Sequence, residues 1–242
     1  MALVQVGCAG WSLPRQHAAL FPAQGSQLER YAARLGAVEI NSSFYRPHRP
    51  QTYARWAEAV PGHFRFAVKL PKAITHEARL RQVDAPLHRF LSEVAALGTR
   101  LGPLLVQLPP SLAFEAGVAR DFWGLLRARF DGDVVCEPRH ASWFEPEASQ
   151  LLVDALVARV AADPPVPAGA GEPGGWPGLV YQRLHGSPRR YYSAYGAARI
   201  EALAARLRAA SARVPVWCIF DNTALGEATA DALALQERLA RA

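Results

Sequence analysis

Glu137-Pro138-Arg139-His140 puts a carboxylate, a guanidinium and an imidazole within four residues. Arg183-Leu184-His185-Gly186 carries a second cation and imidazole two residues apart, and Glu39 and Asn41 share that spacing. Residues two apart lie on one face of a strand, so each pair is delivered together. Lys69, Gln107 and Asp221-Asn222 end further apolar runs, and His76 closes the block Ile74-Thr75-His76. Several chemistries fit these types. Glu39 and Glu137 could divide acid and base roles, as paired carboxylates do in glycoside hydrolysis. Lys69 could serve as a low-pKa amine able to form a Schiff base. With His185, these are the four catalytic candidates. Arg139, Arg183, His185 and Gly186 sit where a barrel would hold a phosphate in loops after its late strands. Trp11, Asn41, Tyr45, His76, Gln107, His140, Asp221 and Asn222 complete the substrate-binding candidates, Trp11 as a lid or a rim plug. Glu137, His140, His185 and Asp221 could form a mononuclear metal site, but no HExxH-like pair fixes two ligands on one helix. No metal or other cofactor is therefore predicted. A G-x-S-x-G elbow and a P-loop are both absent from the sequence.

The elements that must position these residues follow from periodicity. Val134-Val135-Cys136 is a β-branched run that stops at Pro138, a residue unable to donate to a sheet. Strands are predicted at 3–9, 37–41, 64–71, 103–108, from 133, at 156–161, 179–186 and 214–220. Helices are predicted at 27–35, 53–60, 83–97, 115–129, from 146, at 197–210 and 224–240. In these strands the polar residues alternate with the apolar set, which predicts apolar outward and small or charged inward. Eight strands alternating with helices indicate an α/β chain of the TIM type, a (β/α)8 barrel, with residues 1–242 as one domain. The segment 164–178 holds five prolines and five glycines. It cannot be helical and replaces the sixth helix with a loop. The alternative is a doubly wound open sheet, but Gly7-Cys8-Ala9-Gly10 lacks its phosphate-turn pattern. Parity then brings Glu39, Lys69, Glu137, Arg183 and His185 together at the C-terminal mouth. If they form a ligand site, Glu137→Gln or Arg183→Gln should leave stability little changed.

Composition sets the outer bounds. Lys and Arg number 27 against 21 Asp and Glu, a net charge of +6, which favours anionic partners. A small anionic, phosphate-bearing ligand is the first choice, with nucleic acid as the alternative. Tyr191, Tyr192 and Tyr195 interleave with Arg189 and Arg190, a pattern that suits a nucleotide or single strand, or simply a solvated loop. The three cysteines, Cys8, Cys136 and Cys218, form no CxxC pair and read as core residues of a reducing compartment. No membrane-length apolar run or charged leader is present, which predicts a cytoplasmic protein without a membrane partner. The expectation is an enzyme working by acid/base chemistry, of hydrolase or lyase type. The alternatives are a nucleic-acid-binding protein or nuclease, and a non-catalytic ligand-binding barrel.

The blocks GCAGW, YAARLGAVEINSSFYR, FRFAVKLPKAITH, LGPLLVQLPPSLAF, EPRHASWF, RLHG and FDN resemble the YecE-like family, also called domain of unknown function 72. The resemblance runs from Gly7 to about Leu235 with the motifs in order. It implies a (β/α)8 barrel and a site at the motif-bearing strand ends. It implies no reaction, since none is established for the family. The chain departs from the family at the eighth strand end, which reads Phe220-Asp221-Asn222-Thr223 instead of a double Asn, and segment 164–178 matches no family motif.

Overall fold

The computed structural model describes residues 4–241, so Leu3, assigned above to the first strand, lies outside them. Ten strands make one sheet: β1 (Val4–Ala9), β2 (Ala37–Ile40), β3 (Arg65–Lys69), β4 (Leu101–Gln107), β5 (Val134–Glu137), β6 (Val157–Arg159), β7 (Ala161–Asp163), β8 (Gly174–Gly175), β9 (Val180–Leu184) and β10 (Val216–Phe220). Their order is β7-β9-β10-β1-β2-β3-β4-β5-β6-β8. Every pairing is parallel except that of β6 with β8. The two ends of this order meet, because β6 and β7 are separated only by Val160. The predicted sixth strand is thus one stave broken in the middle. Its first half pairs with β5 and its second half with β9. The Val160 N–H donates to the Cys136 carbonyl at 2.8 Å, and the His185 N–H to that of Asp163 at 2.7 Å, so the stave is tied on both sides. Eight staves result, forming a barrel-like sheet.

The helices are α1 (Gln27–Ala32), α2 (Ser42–Tyr45), α3 (Pro50–Glu58), α4 (Asp84–Val94), α5 (Ala116–Arg127), α6 (Pro146–Asp154), α7 (Ala197–Ser211) and α8 (Glu227–Ala240). Local signals explain several starts. Ser26 and Glu29 form a reciprocal capping box before α1. Pro50 and Pro146 open α3 and α6, where a missing N–H costs nothing. Periodicity did not predict the single turn α2, or the short helical turn Ala141–Phe144, because neither is long enough to carry a period. Segment 164–178 contains no helix, as expected. It instead lays Gly174–Gly175 against β6 and packs Trp176 on the barrel interior. Gly175 is required there: its φ is +62°, and a Cβ would stand 2.6 Å from the Val157 carbonyl oxygen.

Side-chain parity divides the core in two. Val38, Phe66, Val106, Cys136, Cys218 and Phe220 face outward into the layer beneath the helices. Ala37, Ala67, Leu105, Val135, Tyr181 and Trp217 face inward and fill the lower barrel. The next inward residues, two steps along each strand, are Glu39, Lys69, Gln107, Glu137, Arg183 and Ile219. The three cysteines are buried and unpaired, as the composition suggested. Among the described residues no helix is long and apolar enough to cross a membrane.

The tightest backbone approach is at Gly7 in β1. A Cβ there would fall 2.0 Å from the Ala37 carbonyl oxygen, which also accepts from the Tyr31 hydroxyl at 2.9 Å. Gly7→Ala is expected to lower stability by about 1–3 kcal/mol or more, read from urea midpoints, because neither the strand nor the tyrosine can yield without losing its hydrogen bonds.

Candidate active site

Arg183 enters the barrel from β9 and is fully buried. Its Nε and Nη2 donate to Glu39 Oε2 and Oε1 at 3.0 and 2.7 Å, a two-pronged pair with the end of β2. Its Nη1 donates to Glu137 Oε2 at 2.5 Å, and Nη2 also reaches Asp221 Oδ2 at 3.1 Å. Three carboxylates from three staves therefore converge on one guanidinium. The second partners are equally specific. The Tyr181 hydroxyl donates to Glu39 Oε2 at 2.9 Å, and Gln107 Nε2 to Glu137 Oε2 at 3.2 Å. Arg139 reaches Glu137 Oε1 through Nε at 3.0 Å and Nη2 at 2.9 Å. His185 stands between two acids: Nδ1 lies 3.0 Å from Asp221 Oδ2, while buried Nε2 faces Glu137 Oε1 at 3.4 Å without a formed hydrogen bond.

The electrostatics follow from this geometry. Burial alone would raise the Glu137 pKa, but the Arg183 charge, the His185 contact and Arg139 together hold it well below the carboxylate range. Asp221 is lowered in the same way: burial opposes ionisation, and Arg183, His185 and Lys69 outweigh it. Burial would weaken the Arg183 charge, yet Glu39, Glu137 and Asp221 drive its pKa upward.

Lys69 is placed differently. It lies beside the network but outside it, its Nζ 4.1 Å from the centre of the Phe44 ring. Lys69 and Lys72 are the chain's only lysines. Among the described residues the lysine ion pair is Lys72 with Glu77, at 3.0 Å. Lys69 is 8% exposed and has no such partner. Burial, then repulsion from Arg183, lowers its pKa to about 8, against the pull of Glu39, Glu137 and Asp221. His76 is lowered too, by burial and then by the charges of Lys69 and Arg139. His76 thus feels both Lys69 and Arg139 as like charges.

The structure brings the predicted constellation together but redistributes its roles. Glu39 is fully buried and both its oxygens are taken, so it cannot act as acid or base toward a ligand. Sharing Arg183 also removes the predicted division of labour with Glu137, whose lowered pKa makes it a poor proton donor. Four of the five Arg183 N–H donors are engaged by these carboxylates, which leaves little for a phosphate. The Gly186 N–H is likewise committed, to the Tyr195 hydroxyl at 3.0 Å. Asn222 points away from the mouth and ties Ser193 and Asp231 together, at 3.0 and 2.7 Å. His140 Nδ1 lies 2.8 Å from Ser142 Oγ in the turn after β5. Tyr45 is 72% exposed on the rim. Trp11 packs edge-on against Trp56 at 5.0 Å, as a rim plug would. For the mononuclear metal alternative, Arg183 occupies the space between Glu137 and Asp221, and no group of three or more metal-ligating side chains forms among the described residues.

Two site residues, Tyr181 and Phe44, were missed, and Tyr191 was singled out only for a nucleotide-binding pattern. Tyr181 shares parity with Arg183 and was legible from that spacing. Phe44 carries no periodic signal. Tyr191 packs edge-on against His185 at 5.7 Å and contributes to the electrostatic environment of Arg139. Its φ of +69° is a strained conformation for an aromatic residue, and no sequence pattern announces it. Further hollows lie elsewhere. One of about 630 Å³ is lined by Gln5, Gly36, His63 and Arg208 at the opposite end of the barrel, and gathers no comparable cluster of charge.

The family described as "Protein of unknown function DUF72" matches residues 5–242. The chain is 31% identical to the UPF0759 protein YecE of Escherichia coli K12 over 153 residues, which is 62% of this chain and 54% of that one. It is 26% identical to the UPF0759 protein YunF of Bacillus subtilis over 156 residues, 60% of this chain and 53% of that one. The matches thus span about half the length of these curated relatives. Among solved structures, a DUF72 protein of Enterococcus faecalis (EF0366) superposes with a TM-score of 0.83 at 24% identity, covering 98% of this chain and 96% of the other. One of Thermotoga maritima (TM1631) gives 0.81 at 23%, covering 98% and 99%. At these identities the two structures speak for the fold.

The burial of Arg183 reverses the expectation that its loss is harmless. Arg183→Met is expected to cost about 3–5 kcal/mol, because three carboxylates lose their counter-ion. Adding Glu39→Gln and Glu137→Gln should recover much of that loss in urea unfolding. The acid limb gives a second check. Glu137 and Asp221 are depressed in the folded state, so their stabilisation is complete above their unfolded values, near about 4. It fades as pH falls through the lower folded values. The triple variant should therefore show a flatter stability profile in acid than the wild type.

Proposed function

The chain belongs to the DUF72 family, and from that premise we propose that it is an enzyme acting on a small anionic, phosphate-bearing substrate at the barrel mouth. The observation that carries this reading is Lys69: a nearly buried ammonium with no counter-ion, beside three carboxylates that Arg183 already engages. A bound anion would supply the missing partner. It would also offset the repulsion that Lys69 and Arg139 exert on His76. In this reading anion capture centres on Lys69 with His76 and Arg139, keeping Arg139 from the set expected from sequence and adding Lys69 in place of Arg183 and Gly186.

Lys69 then has two tasks. Protonated, it binds an anionic oxygen. With a pKa of about 8 it also exchanges a proton near neutral pH, the property a general acid or base needs. Glu39 and Arg183 are positioning residues in this scheme. Both set the charges that Lys69 feels, and Arg183 keeps Glu137 ionised. His185, oriented by Asp221, is the second proton-handling group, and Phe44 and Tyr191 shield it and Lys69 from water. The three buried free thiols support a reducing, cytoplasmic setting. Nucleic acid is the second reading. It is favoured by the exposed Tyr45, Tyr191 and Tyr192 and by Arg189, whose guanidinium lies 3.9 Å from the Tyr192 ring centre. Steep salt dependence of oligonucleotide binding would support it.

Sulfate, whose charge is constant across the range, tests the first reading. It should raise the melting temperature at about pH 6.5 and much less at about pH 9, where Lys69 has lost its proton. Lys69→Met should abolish the response and Lys72→Met should retain it. The unliganded protein gives an independent sign. The folded value of Lys69 lies below its unfolded value of about 10.4, so its penalty is full below about 8 and fades as pH rises between them. Lys69→Met should therefore stabilise the unliganded protein at neutral pH by about 1–3 kcal/mol. A destabilised Lys69→Met with an intact sulfate response would contradict the proposal.

A further inference from the structure

A smaller cleft opens on the same face, between the ends of β1 and β2. Its volume is about 200 Å³, and Gly10, Trp11, Ser12, Gln27, Asn41 and Ser42 line it. None of these carries a charge, in contrast to the cationic surroundings of Lys69. Asn41 lies two residues beyond Glu39, and its Oδ1 is buried with no hydrogen-bond partner among the described residues. A buried amide oxygen without a partner costs about 1–3 kcal/mol unless something else satisfies it. Gly10 adds room: its φ is +92°, and a Cβ there would meet no atom within 4 Å. Trp11 forms a fixed wall, held edge-on by Trp56 at 5.0 Å and Phe66 at 6.5 Å.

A single turn of chain links the cleft lining to the residues around Lys69. The Phe44 N–H donates to the Asn41 carbonyl at 3.1 Å, so the two residues are one turn apart. Ser43 Oγ donates to the Lys69 carbonyl at 2.7 Å, and Lys69 Nζ rests on the Phe44 ring. Side chains three residues apart on a turn are separated by roughly 5–6 Å at Cβ. One small molecule can therefore touch both places.

We propose that this cleft receives a neutral, hydroxylated moiety, so that the substrate is a sugar or polyol carrying its phosphate toward Lys69. This rests on the anion reading above for the phosphate end only. Hydroxyls suit the cleft because each both donates and accepts. A hydroxyl satisfies Asn41 whichever way its amide is turned, and a sugar ring presents an apolar face to Trp11. The volume corresponds to about six or seven waters, enough for one ring and too little for a peptide.

Calorimetric titration with inorganic phosphate, glucose 6-phosphate and free glucose tests the proposal. The wild type is expected to bind glucose 6-phosphate at least about tenfold more tightly than inorganic phosphate, the increment of one or two hydrogen bonds. Asn41→Ala should erase most of that difference and leave the inorganic phosphate affinity unchanged. Gln27→Trp, at an exposed position, fills the cleft and should do the same if Asn41→Ala does not fold. Equal affinity for the two phosphates in the wild type would overturn the cleft assignment and leave the anion site standing. Binding of glucose that is weakened by Asn41→Ala, with no response to inorganic phosphate, would support the cleft and overturn the anion reading. No heat from any probe would overturn both.

Discussion

A guanidinium enclosed by three carboxylates governs the upper half of this barrel. Arg183 is the only cation among the described residues that touches Glu39, Glu137 and Asp221 together. Each acid arrives on a different stave, so the ion pairs also register those staves against one another. Desolvation of four charges is costly, and only geometry of this quality offsets it. Once Arg183 has absorbed the negative charge, little remains nearby to stabilise a second buried cation. The depressed pKa of Lys69 follows first from its burial and then from repulsion by Arg183, which the three acids only partly offset.

That dependence explains why the fold was more legible than the site. Strand positions follow from apolar alternation, and parity correctly placed Glu39, Lys69, Glu137 and Arg183 on the inward face. The Pro/Gly segment at 164–178 could be excluded from helix on residue type alone. The break at Val160 could not be read, because the chain remains extended there and only its pairing partner changes. Parity likewise says which face a residue occupies and nothing about which neighbours take its hydrogen bonds. Asn222 and Gly186 looked like ligand groups from their position after a strand. Their donors are engaged by Asp231, Ser193 and Tyr195, contacts that strand parity does not predict.

The two ends of the barrel interior differ in kind. Below, Tyr181 stacks on Trp217 with ring centres 5.9 Å apart, Trp176 from the Pro/Gly segment packs alongside, and the lining is apolar. Above, the same strands present charge. Tyr181 joins the halves, with its ring in the lower layer and its hydroxyl on Glu39. The chemistry thus sits above an apolar floor, with Phe44, His76 and Tyr191 on the segments that follow the strands. The strain at Tyr191 is located where a ligand would meet it, which is where strain is most readily retained.

The central claim is that Lys69 is a lone, destabilised ammonium, and its titration measures this directly. With only two lysines in the chain, selective carbon-13 lysine labelling gives a spectrum simple enough to assign by Lys72→Arg. The account predicts that the Lys69 Cε resonance titrates near pH 8, more than two units below an ordinary lysine at about 10.4. It further predicts that this midpoint rises when sulfate is added. A midpoint above about 10 that does not respond to sulfate would contradict it.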